Sequence, residues 1–234
     1  MSPKAVVFDL DGTLVDSLPD LTAAINVMLH SLGRRPLAPG EVRRMIGDGT
    51  RVLVPSALAA TTPKSISVMS ESEKSNLGLS SADVDDAHRK FLEAYEAAAT
   101  KLSRLYPGVE QTLKLLQKSG IRLGICTNKQ QQATFTVLRG FGIASYFEAI
   151  VGGDVVPHHK PDPRHLLAVT EQLGVRSREA IMIGDSENDY NAARAAGTGV
   201  ILLRYGYLRV LPETLSPDAW LDSFSEIPQA ITTF

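Results

Sequence analysis

The apolar positions of this chain follow two patterns that alternate along it. Short runs that are apolar at nearly every position predict strands buried on both faces of a sheet, and apolar residues at helical spacing occupy segments between them. The predicted strands are residues 5–10, 122–126, 149–151, 180–183 and, more weakly, 200–203. Strands that alternate with helices predict an α/β fold, a parallel sheet with helices on both faces.

The segment 16–103 breaks this alternation, because it carries helical patterning and no convincing buried strand. Ser17 is placed to cap one helix and Ser81 another. Between these helices, the stretch 61–81 is rich in Ser, Thr, Lys and Glu, which is typical of a long mobile loop. The expected division is a core of residues 1–15 and 104–234 and an inserted helical domain of residues 16–103. The insert would lie over the sheet edge as a lid.

Composition and charge favour small-molecule chemistry. The chain has 234 residues, 44% of them hydrophobic, which is ample for a packed core with a smaller insert. Its formal charge is −2 and its basic residues are scattered, so we expect neither a nucleic-acid nor a membrane partner. The start of the chain lacks a signal-peptide core and no run of ~18 apolar residues occurs, which favours a cytoplasmic protein. We expect it to be a monomer or a homodimer. Cys126, the only cysteine, is expected to be a buried strand residue.

Two carboxylates, Asp9 and Asp11, lie at the end of the first predicted strand. The carboxyl end of such a strand stands at the rim of a parallel sheet, where open α/β sheets bind ligands. Gly12 and Thr13 indicate a turn, so the second carboxylate can swing around a reacting group. One acid can be a nucleophile that forms an acyl-phosphate, and the other a general acid and base. The alternative is a pair of solvated carboxylates that cap the strand.

A polar cluster follows the strand that ends at Cys126. It consists of Thr127, Asn128 and Lys129. A hydroxyl and backbone N–H groups at a strand-to-helix turn suit a bound phosphate. The same residues would also serve as an ordinary helix cap, and this alternative stays open.

A second cluster contains Lys160. The prolines at positions 161 and 163 restrict the backbone beside it, so its side chain is expected to be fixed. A fixed ammonium can neutralise a phosphoryl group and an attacking carboxylate together. His158 and His159 precede it, and we expect loop residues there, since no third ligand lies at a suitable spacing for a metal site.

A third cluster, with Asp185 and Asp189, follows the strand at 180–183. Carboxylates suit a hard cation, and Mg²⁺ takes only one or two protein carboxylates along with waters and substrate oxygens. Asp9 and Asp185 with a bound phosphate would therefore be a sufficient set. The alternative for either acid of the cluster is a helix-capping carboxylate.

These four motifs, in this order, resemble those of the haloacid dehalogenase superfamily. The run 9–14 is similar to the first motif, Thr127 to the second, Lys160 to the third, and Gly184-Asp185 with Asp189 to the fourth. The insert between the first two motifs resembles the helical C1 cap of that family, so the resemblance spans the whole chain. It implies a Rossmann-like core.

The resemblance also implies a role for each motif residue. Asp9 would be phosphorylated, and Asp11 would act as the acid and base. Thr127 and Lys160 would hold the phosphoryl group. The cofactor would be Mg²⁺, with the implied ligands being the Asp9 side chain, the Asp11 backbone carbonyl and Asp185, and with Asp189 nearby, acting through water or by orienting Lys160.

Two features of the sequence distinguish among the activities found in the superfamily. Its dehalogenases lack an acid at the position of Asp11 and its ion pumps carry a Thr there, so a phosphatase or a phosphomutase remains. The segment 43–54 is similar to the corresponding stretch of phosphoglycolate phosphatases, as is the tail 220–227. This similarity favours a small phosphorylated metabolite, 2-phosphoglycolate, as the substrate.

The segment 43–54 also suits that substrate chemically. Gly47 and Gly49 would expose backbone N–H groups ahead of a helix that starts near Thr50, and Arg44 or Arg51 would add positive charge. Both features suit the carboxylate of a small acidic substrate. The alternative is a turn between cap helices with solvated arginines.

Two departures from the phosphoglycolate phosphatase pattern keep other activities in view. The stretch 61–81 is longer than expected, and Pro55 falls early in the helix that follows the two glycines. A sugar-phosphate mutase of the β-phosphoglucomutase type ranks second, followed by a phosphatase for pyrophosphate or nucleotides. A catalytically inactive binding module is the alternative from another class, although all the catalytic positions are intact.

Overall fold

The fold is built on a six-stranded sheet in which every neighbouring pair of strands is parallel. It is seen in a computed structural model that describes residues 3–62 and 80–234, so most of the predicted loop 61–81 lies outside the described residues. The strands are β1 (Ala5–Phe8), β2 (Val15–Asp16), β3 (Arg104–Leu105), β4 (Arg122–Cys126), β5 (Ala149–Val151), β6 (Ala180–Gly184), β7 (Gly199–Leu203) and β8 (Ala219–Leu221). The sheet order is β5-β4-β1-β6-β7-β8, and β2 pairs with β3 in a separate antiparallel ribbon. The predicted α/β fold is confirmed.

Strand β1 is the central element of this sheet, with β4 on one side and β6 on the other. Its four residues are fully buried, and they alternate between the two core layers: Val6 and Phe8 on one face, Ala5 and Val7 on the other. The strand ends at Phe8, two residues earlier than the sequence predicted. The following residues turn back instead, because the carbonyl of Leu10 accepts hydrogen bonds from the amides of residues 13–15.

Helices cover both faces of the sheet and form most of the described segments 18–62 and 80–96. They are α1 (Leu18–Ser31), α2 (Pro39–Arg43), α3 (Thr50–Ala60), α4 (Ser81–Glu96), α5 (Val109–Lys118), α6 (Gln131–Gly140), α7 (Pro163–Gln172), α8 (Glu187–Ala196) and α9 (Ile227–Ala230). Helix α3 runs through Pro55. Cys126 is buried in β4, as expected. Within the described ranges, no helix combines the length and the apolar composition that a membrane crossing requires.

A buried carboxylate joins the two ends of the segment 16–103. Asp20, in α1, accepts hydrogen bonds from the amide of Leu102 at 3.0 Å and from the amide of Ser103 at 2.8 Å. The two predicted helix caps differ from the structure. Ser17 makes no capping bond with its side chain, and α4 is capped by Ser80, one residue before the predicted position.

The buried ring of His165 carries a pH-dependent part of the stability. It lies in α7 without solvent exposure, and its Nε2 is 3.2 Å from the carbonyl oxygen of Val151. Burial and, to a smaller extent, the nearby Lys160 charge lower the pKa of this imidazole from 6.5 to about 4. Between these two pKa values the unfolded chain binds a proton at this ring that the folded protein does not bind.

Acidification should therefore destabilise the protein through His165. As the pH falls from 6.5 towards 4, this ring should reduce the free energy of unfolding by up to about 3 kcal/mol. Urea denaturation of His165→Asn at pH 7 and pH 4.5 should show a smaller loss than the wild type. His30→Asn, at an exposed ring, is the matched control and should lose as much as the wild type. An equal loss in all three proteins would contradict the assignment.

Candidate active site

A small cavity lies at the carboxyl end of the sheet, bordered by the ends of β1 and β4 and by residues of α1 and α3. Its volume is about 40 Å³. The bordering residues are Asp9, Asp11, Leu21, Ile46, Gly47, Gly49, Thr50, Leu53, Thr127, Asn128 and Lys129. The cavity therefore brings together the first and second predicted motifs and the two glycines of the segment 43–54.

Three carboxylates and one ammonium meet beside this cavity. One oxygen each of Asp9, Asp185 and Asp189 lie within 4.8 Å of one another. Lys160 Nζ is 3.0 Å from Asp9 Oδ1 and 2.6 Å from Asp189 Oδ1. Burial raises the pKa of the Asp9 carboxyl to about 6; the Lys160 charge opposes the shift, and the Asp189 charge adds to it. Burial would lower the pKa of Lys160, but the two carboxylates outweigh burial and raise it. The close approach of the three carboxylates therefore costs electrostatic free energy.

Hydrogen bonds from the surrounding chain fix two of these acids. Asp185 Oδ1 accepts from the Thr13 hydroxyl at 2.7 Å, and Asp185 Oδ2 accepts from the Tyr207 amide at 2.6 Å. Asp189 Oδ2 accepts from the amides of Asp185 and Ser186, each at 3.1 Å, and from the Ser186 hydroxyl at 2.7 Å. Because Lys160 Nζ donates to Asp189 Oδ1, both oxygens of Asp189 have protein partners.

The same cluster fits a divalent cation. Carboxylate oxygens are the ligands that hard cations prefer, and a cation would relieve the repulsion among the three acids. Asp9 Oδ1 is buried and makes no hydrogen bond, although Lys160 Nζ lies 3.0 Å away, so it keeps lone pairs for a metal. Gly12 has φ +89° and approaches Asp185 so closely that a Cβ would overlap the carboxylate. Because position 12 has no side chain, the main chain of the turn can lie directly against the Asp185 carboxylate.

The cluster after β4 connects the cavity to the Lys160 loop. Asn128 Nδ2 donates to the carbonyls of Gly47 and Lys160 and its Oδ1 accepts from the Lys160 amide, all at 2.9 Å. The Thr127 hydroxyl accepts from the Lys129 amide at 3.3 Å, so its proton remains for a ligand. Asn128 therefore positions Lys160 and contacts the segment 43–54, while Thr127 presents a donor to the cavity.

Lys129 is a site residue to which the sequence pattern assigned no role. Its ammonium donates to both oxygens of Asp11, at 3.1 and 2.9 Å, and lies 4.5 Å from the centre of the Tyr95 ring in α4. Burial alone would lower the pKa of this lysine, but the Asp11 and Tyr95 groups raise it overall. Asp11 is thus held in place by a buried cation.

The loop between α2 and α3 is tied to the sheet domain by a second polar cluster. Asn188 Nδ2 donates to Asp48 Oδ1 at 2.7 Å and to the carbonyl of Gly47 at 3.2 Å. Arg209 pairs with both carboxylate oxygens of Asp48. Gly49 has φ +80°, a conformation that other residues rarely adopt, at the start of α3. These contacts close the segment 47–49 over the cavity.

The two arginines predicted to add charge lie away from the cavity. Arg44 is exposed. Arg51 is paired at 2.5 Å with Asp85 of α4, and its side chain is 68% exposed. Neither borders the cavity, whereas Gly47 and Gly49 do. His158 and His159 belong to a loop and are not part of the acidic cluster in the described chain.

Comparison with known proteins agrees with this geometry. A family model described as haloacid dehalogenase-like hydrolase matches residues 6–203. The chain belongs to this family. The resemblance predicted from the four motifs is confirmed, and the acidic cluster lies where this hydrolase can bind a divalent metal.

Similar proteins carry phosphoglycolate phosphatase names. "Phosphoglycolate phosphatase 1" of Pseudomonas aeruginosa is 42% identical to this hydrolase. The match covers 88% of this chain and 71% of the Pseudomonas protein. The phosphoglycolate phosphatase of Rhodospirillum rubrum is 39% identical, and the match covers 96% of this chain and 89% of the Rhodospirillum protein. A crystal structure of a predicted phosphoglycolate phosphatase from Haemophilus somnus superposes with a TM-score of 0.88 at 32% identity, covering 98% of both chains.

Removing the charge of Asp48 should loosen the loop over the cavity. In Asp48→Asn, the carboxylate that pairs with Arg209 is lost, so we expect roughly tenfold faster amide hydrogen exchange across residues 47–53. The control is Asp85→Asn, whose exposed pair with Arg51 should contribute little, and exchange at 47–53 should not change. Equal exchange in Asp48→Asn and the wild type would contradict the proposed closure.

Proposed function

We propose that this hydrolase is a divalent-metal-dependent phosphatase that converts 2-phosphoglycolate to glycolate and phosphate. The observation that carries the proposal is the Asp9 carboxylate, which borders the cavity and lies 3.0 Å from Lys160. An anion beside a fixed cation, at the carboxyl end of a central strand, is suited to attack a phosphoryl group. Relatives at 42% and 39% identity named phosphoglycolate phosphatase support the substrate.

The first step is attack of Asp9 on phosphorus, with the ester oxygen leaving in line to give an aspartyl-phosphate. Lys160 reduces the repulsion between the Asp9 carboxylate and the phosphate dianion. Asp189 holds the Lys160 ammonium at 2.6 Å, and so it acts by orienting this lysine. Thr127 donates its hydroxyl proton to a phosphoryl oxygen.

Asp11 serves both halves of the reaction. It protonates the departing glycolate oxygen, and it then takes a proton from the water that hydrolyses the aspartyl-phosphate. Lys129 keeps the carboxylate of Asp11 beside Asp9 during both steps.

Mg²⁺ is the proposed cofactor. Its ligands would be the side chains of Asp9 and Asp185 and the backbone carbonyl of Asp11, with Asp189 nearby. When bound, the metal would neutralise charge on the transferred phosphoryl group and on Asp9. Thr13 and the Tyr207 amide orient Asp185 for this role.

The segment 16–103 is proposed to act as a cap on a core of residues 1–15 and 104–234. Residues of α1 and α3 complete the cavity that Asp9 and Asp11 border. Backbone N–H groups near Gly47 and Gly49 are available to that substrate. The expected setting remains a cytoplasmic monomer or homodimer.

A substrate panel tests the proposed function. With Mg²⁺, 2-phosphoglycolate should be hydrolysed with a higher kcat/KM than β-glucose 1-phosphate, pyrophosphate or nucleoside monophosphates. EDTA should abolish turnover, and added Mg²⁺ should restore it. Conversion of β-glucose 1-phosphate to glucose 6-phosphate would favour the mutase. Absence of metal-dependent turnover with every compound would contradict an enzymatic role.

The two acids should respond differently to amidation. Asp9→Asn should lower kcat by about 10⁴-fold or more, because an amide cannot form the acyl-phosphate. Asp11→Asn should slow both half-reactions, by about 10²- to 10⁴-fold. Thermal melts should show that both variants are folded. Wild-type turnover in Asp9→Asn would contradict the nucleophile, and an unchanged burst of leaving group in Asp11→Asn would contradict its double role.

A further inference from the structure

A substrate carboxylate needs a positive partner, and the cavity offers one. Among the described residues that border it, Lys129 is the one cationic side chain. The residue is only 6% exposed, so a ligand reaches its ammonium through the cavity and not from the surface. A cation buried in this way interacts with an anion more strongly than an exposed one.

The ammonium of Lys129 also has a donor to spare. It carries three N–H groups, and the acceptors at hydrogen-bond geometry are the two oxygens of Asp11. The Tyr95 hydroxyl helps to raise the pKa of this lysine, but it is buried and has no hydrogen-bond partner of acceptable geometry among the described residues. The Tyr95 ring, 4.5 Å from Nζ, is 2% exposed and supports the charge from the α4 side. Lys129 is therefore fixed by the core and by α4 together, with one N–H left for a ligand.

The other nearby cations have different partners. Lys160 is paired with Asp9 and Asp189, beside the position of the phosphoryl group. Arg209 is paired with Asp48 and with Glu187.

Two further arginines are also placed elsewhere. Arg43 donates to the carbonyl of Gly206 and lies over the Tyr207 ring. Arg51 is paired with Asp85 at the surface. None of these four cations borders the cavity, so among the described residues Lys129 remains for a second anionic group of the substrate.

We propose that Lys129 is the specificity-determining residue for the carboxylate of the substrate, which it binds with its remaining N–H while its other donors hold Asp11. This inference rests on the proposed function, because it assumes a substrate with a carboxylate next to the phosphate ester. Phosphate and carboxylate then have separate cations: Lys160 for the first and Lys129 for the second. Asp9, which lies 3.0 Å from Lys160, and Lys129 border the same cavity, so one small molecule can span the two cations.

The test compares 2-phosphoglycolate with ethyl phosphate, which has the same ester but no carboxylate. The quantity measured is the ratio of their kcat/KM values with Mg²⁺. Lys129→Met should reduce this ratio by about 10- to 100-fold, the loss expected for a hydrogen bond to a charged group. Lys129→Arg, which keeps the charge, should retain part of the ratio. A lysine that only positions Asp11 would change kcat/KM for both substrates equally and leave the ratio unchanged.

Binding measurements separate recognition from chemistry. In Asp9→Asn, titration calorimetry with Mg²⁺ should give a weaker Kd for 2-phosphoglycolate when Lys129→Met is added, and the same Kd for ethyl phosphate. Lys129→Gln replaces Lys129→Met in both assays if the latter does not fold. Lys114→Met, at an exposed lysine of α5, is the matched control and should leave the ratio unchanged.

The outcomes distinguish this inference from the function on which it rests. A wild type that hydrolyses both substrates equally would overturn the substrate assignment, and the inference with it. A wild type that prefers 2-phosphoglycolate, together with a Lys129→Met variant of undiminished preference, would overturn the inference alone. Loss of the preference in Arg51→Met instead would assign the carboxylate to the surface arginine.

Discussion

The crowding of three carboxylates beside one ammonium is the constraint on which this site depends. Asp9, Asp185 and Asp189 offer oxygens within 4.8 Å of one another, and Lys160 pairs with two of them. Such a cluster is unfavourable unless each acid is hydrogen-bonded or neutralised. Thr13, among others, supplies donors that fix the acids, and the remaining negative charge is what a divalent metal would balance. The same repulsion that opposes folding therefore favours metal binding.

The sheet determines where this cluster forms. β1 lies between β4 and β6, so the residues after these three strands meet at one edge, at the point where the strand order reverses. Sequence was sufficient to predict this arrangement, because apolar runs identify buried strands and the polar residues that follow them must meet at the edge of a parallel sheet. Asp9 and Asp185 were found in this way. The strand boundaries were less predictable: β1 ends at Phe8, since the turn after it competes for the backbone hydrogen bonds.

Contacts between distant segments could not be predicted. Arg209 reaches Asp48 across 161 positions, and the Tyr207 amide reaches Asp185 from a loop without a recognisable motif. Charge in the segment 43–54 pointed to Arg51, yet that side chain is paired with Asp85 at the surface. A sequence pattern shows which residues share a helix face, but it does not show which partner neutralises an exposed arginine. The placement of Arg51 is set by packing of α3 against α4.

Lys129 shows how chemistry and recognition become linked in such a site. Its ammonium is balanced by Asp11, which the proposed mechanism requires to be a neutral acid when the ester oxygen leaves. Until that proton passes to the ester oxygen, the buried lysine would lack its counter-charge, and a substrate carboxylate would supply one. A monoester without a carboxylate would leave the ammonium unpaired in the cavity until Asp11 transfers its proton. The cost of that unpaired charge gives the protein a physical means to favour acidic substrates when they bind.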